Sequence, residues 1–270
     1  MRIYHTSDLH DHRGIVEPLR ALRAQRPGLL FDCGDSLRGS QTLYRRNEPI
    51  IAEIDAAGYD AQAIGNREFH YWYPLLRARA ARMAHPLVCS NLIDTRNRPL
   101  PFARSLVMNV EGTRVHLLGL LIMQYPAKSA WERIFGWRFL DPWEAVEPYA
   151  QTLAEGELLI VLSHVGLRLD RVLAARVPRI DLILGGHSHD TLPTPEYVGG
   201  VPIVHAGPYG KYVSRTEMRR DSPTQRFRID DFALVPLLGA CRTRAILGSG
   251  VEFCSEARRE EGAKPPLRDR

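Results

Sequence analysis

The sequence predicts an α/β protein of two packed sheets with helices outside. Over the first half of its 270 residues, short apolar strands alternate with amphipathic helices, the pattern of strand–helix–strand units. The second half is richer in strands. In addition, nearly every candidate acid, amide or imidazole stands where an apolar strand stops.

Taken in order, Arg2–Ser7 reads as a strand and Ile15–Gln25 as a helix with Ile15, Leu19 and Leu22 on one face. Gly28–Cys33 is the next strand. Glu48–Ala57 is a helix with Gly58 as its C-cap. Ala61–Ile64 is a strand, Tyr73–Met83 a helix and Leu87–Ser90 a strand. Ser105–Val110 and Arg114–Leu121 flank Glu111-Gly112, a hairpin signal. Gln124–Trp137 reads as irregular, and Pro142–Ala154 as a helix. Leu158–Leu162 is an apolar strand, Arg171–Val177 a short helix and Ile180–Leu184 a further apolar strand. Strands at Pro202–His205, Val213–Met218 and Phe227–Val235 complete the pattern. Residues 1–238 are expected to form one domain. Residues 239–270 lose periodicity, become charged and proline-containing, and are expected to be a disordered tail.

Composition narrows the class. Hydrophobic residues at 44% and charged residues at 25% are ordinary for a globular protein. The net charge of +5 suits a phosphate-bearing partner, but the arginines are scattered, which argues against nucleic acid. Cys33, Cys89, Cys241 and Cys254 form no Cys-x-x-Cys pair, so zinc ribbons and thioredoxin chemistry are not supported. The start Met1-Arg2-Ile3-Tyr4 runs straight into a strand, with no signal-peptide pattern. No apolar stretch is long enough to span a membrane. A cytoplasmic protein without a membrane partner is the expectation.

The chemistry lies at the strand ends. Asp8 and His10 follow the first strand, Asp35 the second and Asn66 the third, while His164, His187 and His189 follow two later ones. Ligands of open α/β sheets bind beyond the carboxyl ends of the strands, so these residues are expected on one rim. Mixed imidazole and carboxylate donors suit Mn, Fe, Zn, Co or Ni better than Ca or Mg. One aspartate can bridge two such ions ~3.5–4 Å apart.

Five segments carry a family resemblance: His5-Thr6-Ser7-Asp8-Leu9-His10, Gly34-Asp35-Ser36, Gly65-Asn66-Arg67-Glu68-Phe69, Leu162-Ser163-His164-Val165-Gly166 and Gly185-Gly186-His187-Ser188-His189. In wording and order they resemble the calcineurin-like metallophosphoesterases, most of all the bacterial 5′-nucleotidase branch. Pro208-Tyr209-Gly210-Lys211-Tyr212 also looks like that branch, and the resemblance spans roughly residues 1–220. It implies a four-layer αββα sandwich of two mixed β-sheets flanked by helices, the metallophosphoesterase fold. It also implies two divalent metal ions, one on Asp8, His10, Asp35 and His189, the other on Asp35, Asn66, His164 and His187, with Asp35 bridging. The reaction implied is hydrolysis of a small phosphomonoester or phosphodiester, a nucleotide among the candidates, by a metal-bridging hydroxide.

Two departures from the family qualify this. The family motif carries histidine where this sequence has Arg67, and an aspartate partner where it has His70. Arginine stays charged and cannot donate the leaving-group proton, so Arg67 is read as a phosphate clamp. His70 or His12 would then supply the proton. The family's nucleotidases also carry a C-terminal domain whose aromatic side chains stack on the base. This sequence is expected to lack such a domain, so the resemblance implies no nucleotide specificity. Tyr71-Trp72-Tyr73 offers a wall on which a ring could stack, or ordinary packing at a helix start. The alternative function is a metal-binding phosphate-ligand module without hydrolysis.

Overall fold

A computed structural model describes residues 1–221 and 225–237; the expected tail over residues 239–270 lies outside the described residues. In chain order, β1 (Arg2–Thr6) leads to α1 (Val16–Gln25), β2 (Leu29–Asp32), α2 (Ile50–Ala57) and β3 (Ala61–Ala63). Then come α3 (Tyr73–Ala80), β4 (Leu87–Val88), β5 (Leu92–Asp94), β6 (Leu106–Val110), β7 (Thr113–Leu121) and α4 (Ala130–Phe135). β8 (Trp137–Phe139), α5 (Pro142–Thr152), β9 (Leu158–His164), α6 (Leu167–Arg176) and β10 (Leu182–Gly185) follow. The last described elements are β11 (Glu196–Val198), β12 (Val201–His205), β13 (Tyr212–Arg220) and β14 (Phe227–Pro236).

The strands make two six-stranded sheets, ordered β14-β13-β1-β2-β3-β4 and β11-β12-β10-β9-β7-β6. In the first, β1 to β4 are parallel, β13 pairs antiparallel to β1, and β14 antiparallel to β13. In the second, β7, β9, β10 and β12 are parallel, with β6 and β11 antiparallel at the edges. The parallel strands read as near-continuous apolar runs because both faces are covered; every residue of β9 is buried.

Packing defines four layers. Ile3, Phe31, Ala63 and Val88 of the first sheet interdigitate with Leu117, Ile160, Leu184 and Val204 of the second. The outer face of the second sheet buries Val161 and Ile183 against α5 and α6, through Val146 and Leu173. The outer face of the first buries Tyr4 and Leu30 against α1 and α2, through Leu19 and Ile54. This is the expected αββα sandwich. The sheets approach closely at Gly119, where an added Cβ would lie 2.1 Å from the carbonyl oxygen of Val88, so a side chain is excluded.

Details differ from the sequence reading where signals are short. The stretch Gln124–Trp137 contains α4, capped by Ser129, whose hydroxyl accepts from Glu132 N–H, and ended by Gly136 at φ 80°. β5 and β8 pair in a separate two-stranded sheet. Helix α6 begins at Leu167, not Arg171, because Gly166 at φ 87° turns the chain into it directly after the His164 segment. The predicted hairpin is present, with Glu111 at φ 50° and Gly112 at φ 76°, as a tight turn between twisted strands requires. Cys33 and Cys89 are buried and unpaired, as expected of small apolar residues.

Candidate active site

The loops after β1 and β2 are laced together. Asp8 N–H donates to Gly34 O at 2.8 Å, His10 N–H to Asp35 O at 2.9 Å and Asp11 N–H to Ser36 O at 2.8 Å. Such lacing holds the chain in conformations that ordinary residues avoid. Asp8 (φ 52°), His10 (49°), Asp35 (59°), His187 (73°) and His189 (60°) all lie in the left-handed region. Non-glycine residues there are uncommon and concentrate where geometry matters for function. That five sequence-selected residues share the feature is independent support for treating them as one site.

Their side chains converge. Donor atoms of Asp8, His10 and His189 lie within 4.8 Å of one another, and so do those of Asp8, Asp35 and His164. His164 Nδ1 donates to Cys33 O at 2.7 Å. Its Nε2 thus faces Asp35 Oδ1 at 3.3 Å, fully buried and without a hydrogen-bond partner. A carbonyl that fixes one ring nitrogen so that the other meets a cation is the usual support of a metal-binding histidine. The donor set therefore fits divalent metal ions. His187 borders the group, with its ring 5.1 Å from that of His164 and its backbone N–H donating to Asp8 Oδ2 at 3.0 Å. Asn66 Oδ1 accepts from Gln124 Nε2 at 3.0 Å.

The electrostatics follow from burial and crowding. Burial pushes the Asp8 carboxyl upward, but the hydrogen bond from His189 and the charge of His164 outweigh it and hold it below the usual range. Burial likewise opposes ionisation of Asp35, and His164 overcomes it. Burial depresses His164 in turn, but Asp35 dominates and raises it to about 10. Burial, then the Arg67 charge, lowers His10 to about 4.

The other expected residues are distributed unevenly. Arg67 is turned over the site: its Nε lies 3.9 Å from Asp35 Oδ2 and its Nη1 donates to Leu37 O at 3.2 Å. Its backbone N–H donates to Asp35 Oδ1 at 2.8 Å. His12 lies on the exposed rim, its ring 4.6 Å from that of Tyr209. His70 is not brought to the cluster by any of its described contacts. It is buried, and its Nδ1 accepts Trp72 N–H at 3.1 Å. Tyr71 packs against Phe135 with ring centroids 4.8 Å apart.

Three residues without a role in the sequence reading are prominent. Glu68 is fully buried and accepts backbone N–H groups from Asp35 (2.7 Å), Ser36 (2.9 Å), Leu37 (3.3 Å) and Gly65 (3.0 Å). It clamps the loop after β2 to the loop after β3. Its place in Gly65-Asn66-Arg67-Glu68, a carboxylate inside a glycine-led turn, was the available signal. Arg79 supports the same region, donating to Phe69 O at 2.7 Å and Leu43 O at 3.1 Å. Tyr209, at φ 67°, lays its ring 5.6 Å from His10 and 5.5 Å from His189.

Comparison with known proteins agrees with this geometry. Residues 1–191 match the model of the calcineurin-like phosphoesterase family. Over 242 residues the chain is 31% identical to the uncharacterized metallophosphoesterase YunD of Bacillus subtilis, covering 82% of this chain and 50% of that protein. It is 29% identical to mouse 5′-nucleotidase, over 75% of this chain and 40% of the relative. The chain thus spans half the length of the first relative and less of the second. In structure, the 5′-nucleotidase precursor of Thermus thermophilus superposes with a TM-score of 0.72 at 24% identity, over 87% of this chain and 54% of that one. The calcineurin-like phosphoesterase YfkN of Bacillus subtilis gives 0.69 at 20% identity, over 90% and 92%.

Proposed function

The chain belongs to the calcineurin-like phosphoesterase family, and from that premise we propose that it hydrolyses small phosphate esters, nucleotides among them, with two divalent metal ions. The observation that carries this is the sharing of Asp8 between two donor groups, one with His10 and His189, the other with Asp35 and His164. His187, whose ring borders that of His164, and Asn66, next in the chain to Arg67, whose N–H reaches Asp35, complete the proposed ligand set. The mixture of imidazole, amide and carboxylate favours Mn, Fe, Zn, Co or Ni. When bound, such ions supply an activated water and neutralise charge on the phosphoryl oxygens.

The rest falls to the protein. Asp35 is grouped with Asp8 and His164, its Oδ1 3.3 Å from His164 Nε2, and we assign it as the carboxylate shared by the two ions. The Arg67 guanidinium, about a third exposed, is placed to hold a phosphoryl oxygen with a charge-assisted hydrogen bond. Gln124 orients the Asn66 amide through the bond to Oδ1. With His70 engaged by Trp72 N–H, we assign it to positioning the loop before α3. His12 on the exposed rim is the better candidate for carrying a proton to the leaving oxygen. The names of the relatives are those of esterases and nucleotidases, which does not favour the binding-only alternative. The test is hydrolysis of p-nitrophenyl phosphate and bis-p-nitrophenyl phosphate by protein supplied with Mn²⁺. Turnover of either, abolished by chelation and by Asp8→Asn, is expected. No turnover of these or of nucleoside monophosphates with any of the five metals would overturn the proposal.

A further inference from the structure

Beside the candidate active site is a cleft of about 530 Å³ lined by Thr42, Tyr71, Gln124, Tyr125, Pro126, Trp131 and Phe135. Four of these are aromatic, and the lining holds no ionisable side chain other than the two tyrosines. The tyrosines are neutral, since burial raises the phenols of Tyr71 and Tyr125 above their ordinary value. Three of the rings are nearly parallel: Phe135 stacks on Tyr71 with 15° between planes and on Trp131 with 6°. Trp131 is 54% exposed, and so is Trp72, which meets Phe135 edge-on, although exposed tryptophan is ordinarily disfavoured. One side chain joins the cleft to the proposed ligand Asn66. Gln124 lines the cleft while its Nε2 donates to Asn66 Oδ1 at 3.0 Å and to Ile122 O at 2.8 Å.

We propose that this cleft is the leaving-group subsite, and that it takes a planar, uncharged aromatic ring carried by the phosphate ester, a nucleobase being the ring that suits it. The inference rests on the phosphoesterase reading for the position of the phosphate. A dianionic phosphate has no cation to meet in the cleft, whereas a flat neutral ring finds the half-exposed Trp131, already aligned with Phe135, and the polar edges of Gln124 and Thr42 to meet. The spacing follows from the same link: one glutamine separates the ring from Asn66, so an ester can span both places. Specificity among bases is expected to be low, because stacking reads the π-face and not the hydrogen-bonding edge.

Two measurements on the full chain test this. The first is calorimetric or NMR binding of adenosine, with ribose as control, to metal-free protein. Adenosine binds and ribose does not; Trp131→Ala weakens adenosine binding about 5- to 150-fold, the range for loss of one stacked aromatic, and Trp131→Phe restores most of it. The second is the ratio of kcat/KM for adenosine monophosphate to that for glycerol phosphate, which falls by a similar factor in Trp131→Ala. Trp131 is half exposed, so this variant is expected to fold, as circular dichroism will check. Adenosine binding that is absent, matched by ribose, or unchanged in Trp131→Ala overturns the cleft assignment. Failure to hydrolyse any ester would overturn the phosphoesterase reading instead, and the binding measurement would still decide the cleft.

Discussion

The Nε2 atoms of His10 and His189 face each other at 2.9 Å, with Asp8 Oδ1 at 3.8 Å from the first and 3.5 Å from the second. Without a cation, one of the two rings must point a proton at the other; a metal ion satisfies both lone pairs and the carboxylate together. Metal should therefore stabilise the fold. At free Mn²⁺ about 100-fold above Kd, mass action adds about 2.7 kcal/mol. In a domain of this size that corresponds to a rise in Tm of about 5–10 °C. Calorimetry of chelated and reloaded protein checks this, and an unchanged Tm would contradict it.

Asp35 contacts His164 on one side and Arg67 on the other. Asp35→Asn should reduce the metal content from two ions per chain to one or fewer, and activity should fall with it. Elemental analysis of folded protein reads the stoichiometry. Two ions retained in the variant would rule out the shared carboxylate.

Arg67 should affect catalysis without affecting metal. Its guanidinium hydrogen bonds go to carbonyls of the neighbouring loop, and it supplies no metal donor. Arg67→Ala should lower kcat/KM about 10- to 100-fold, the loss of one charge-assisted hydrogen bond, with metal content intact. Full activity on both p-nitrophenyl and alkyl esters would remove it from the mechanism.

Glu68 makes a structural prediction. Burial and the neighbouring Asp35 and Asp32 carboxylates push its pKa up to about 7, while the N–H groups it accepts favour the charged form. Glu68→Gln replaces one acceptor oxygen by a donor that meets other donors. It should cost about 2–4 kcal/mol in denaturant unfolding, as a buried network losing its acceptor does. A loss under about 1 kcal/mol, the net worth of an ordinary hydrogen bond, would mean that the two loops hold without it.

His5 and His70 contribute one part of the pH dependence of stability. Burial, then the charge of His205, lowers His5 to about 3; burial, then Arg79, lowers His70 to about 4. Both folded values lie below the unfolded value of about 6.5, so the unfolded chain binds more protons. Their contribution is complete above pH ~6.5 and is lost as pH falls toward the folded values. Between pH ~6.5 and ~5 His5 should withdraw about 1.5 kcal/mol, and His70, which is less deeply set, somewhat less. His70→Gln, examined by urea unfolding at both pH values, should lose correspondingly less than wild type. An equal loss in the two proteins would show that His70 does not contribute.

Much of this was readable in advance because strand ends and their glycines are local signals. Asp8, Asp35, Asn66, His164, His187 and His189 each follow an apolar run, and residue type alone suggested the chemistry. The contacts of Arg67 were not readable: Leu37 lies 30 residues away, and nothing in a linear pattern brings that carbonyl to the guanidinium. The same holds for Gln124 and Asn66, 58 residues apart. Helix α4 was hidden by its length, since six residues are too few for an apolar period to emerge. Its capping serine and terminal glycine were the only local clues.

The left-handed backbone at Asp8, His10, Asp35, His187 and His189 bears on transplanting this chemistry. Grafted as side chains onto regular strand ends of another scaffold, the same residues would start from extended backbone and aim elsewhere. The portable unit is the pair of laced loops, with the Glu68 segment that clamps one of them. Within such a graft, asparagine and aspartate would be the replacements least opposed by the backbone, since they enter this region more readily than other residues. Valine or isoleucine at the same positions would disturb the loops even where no metal is wanted.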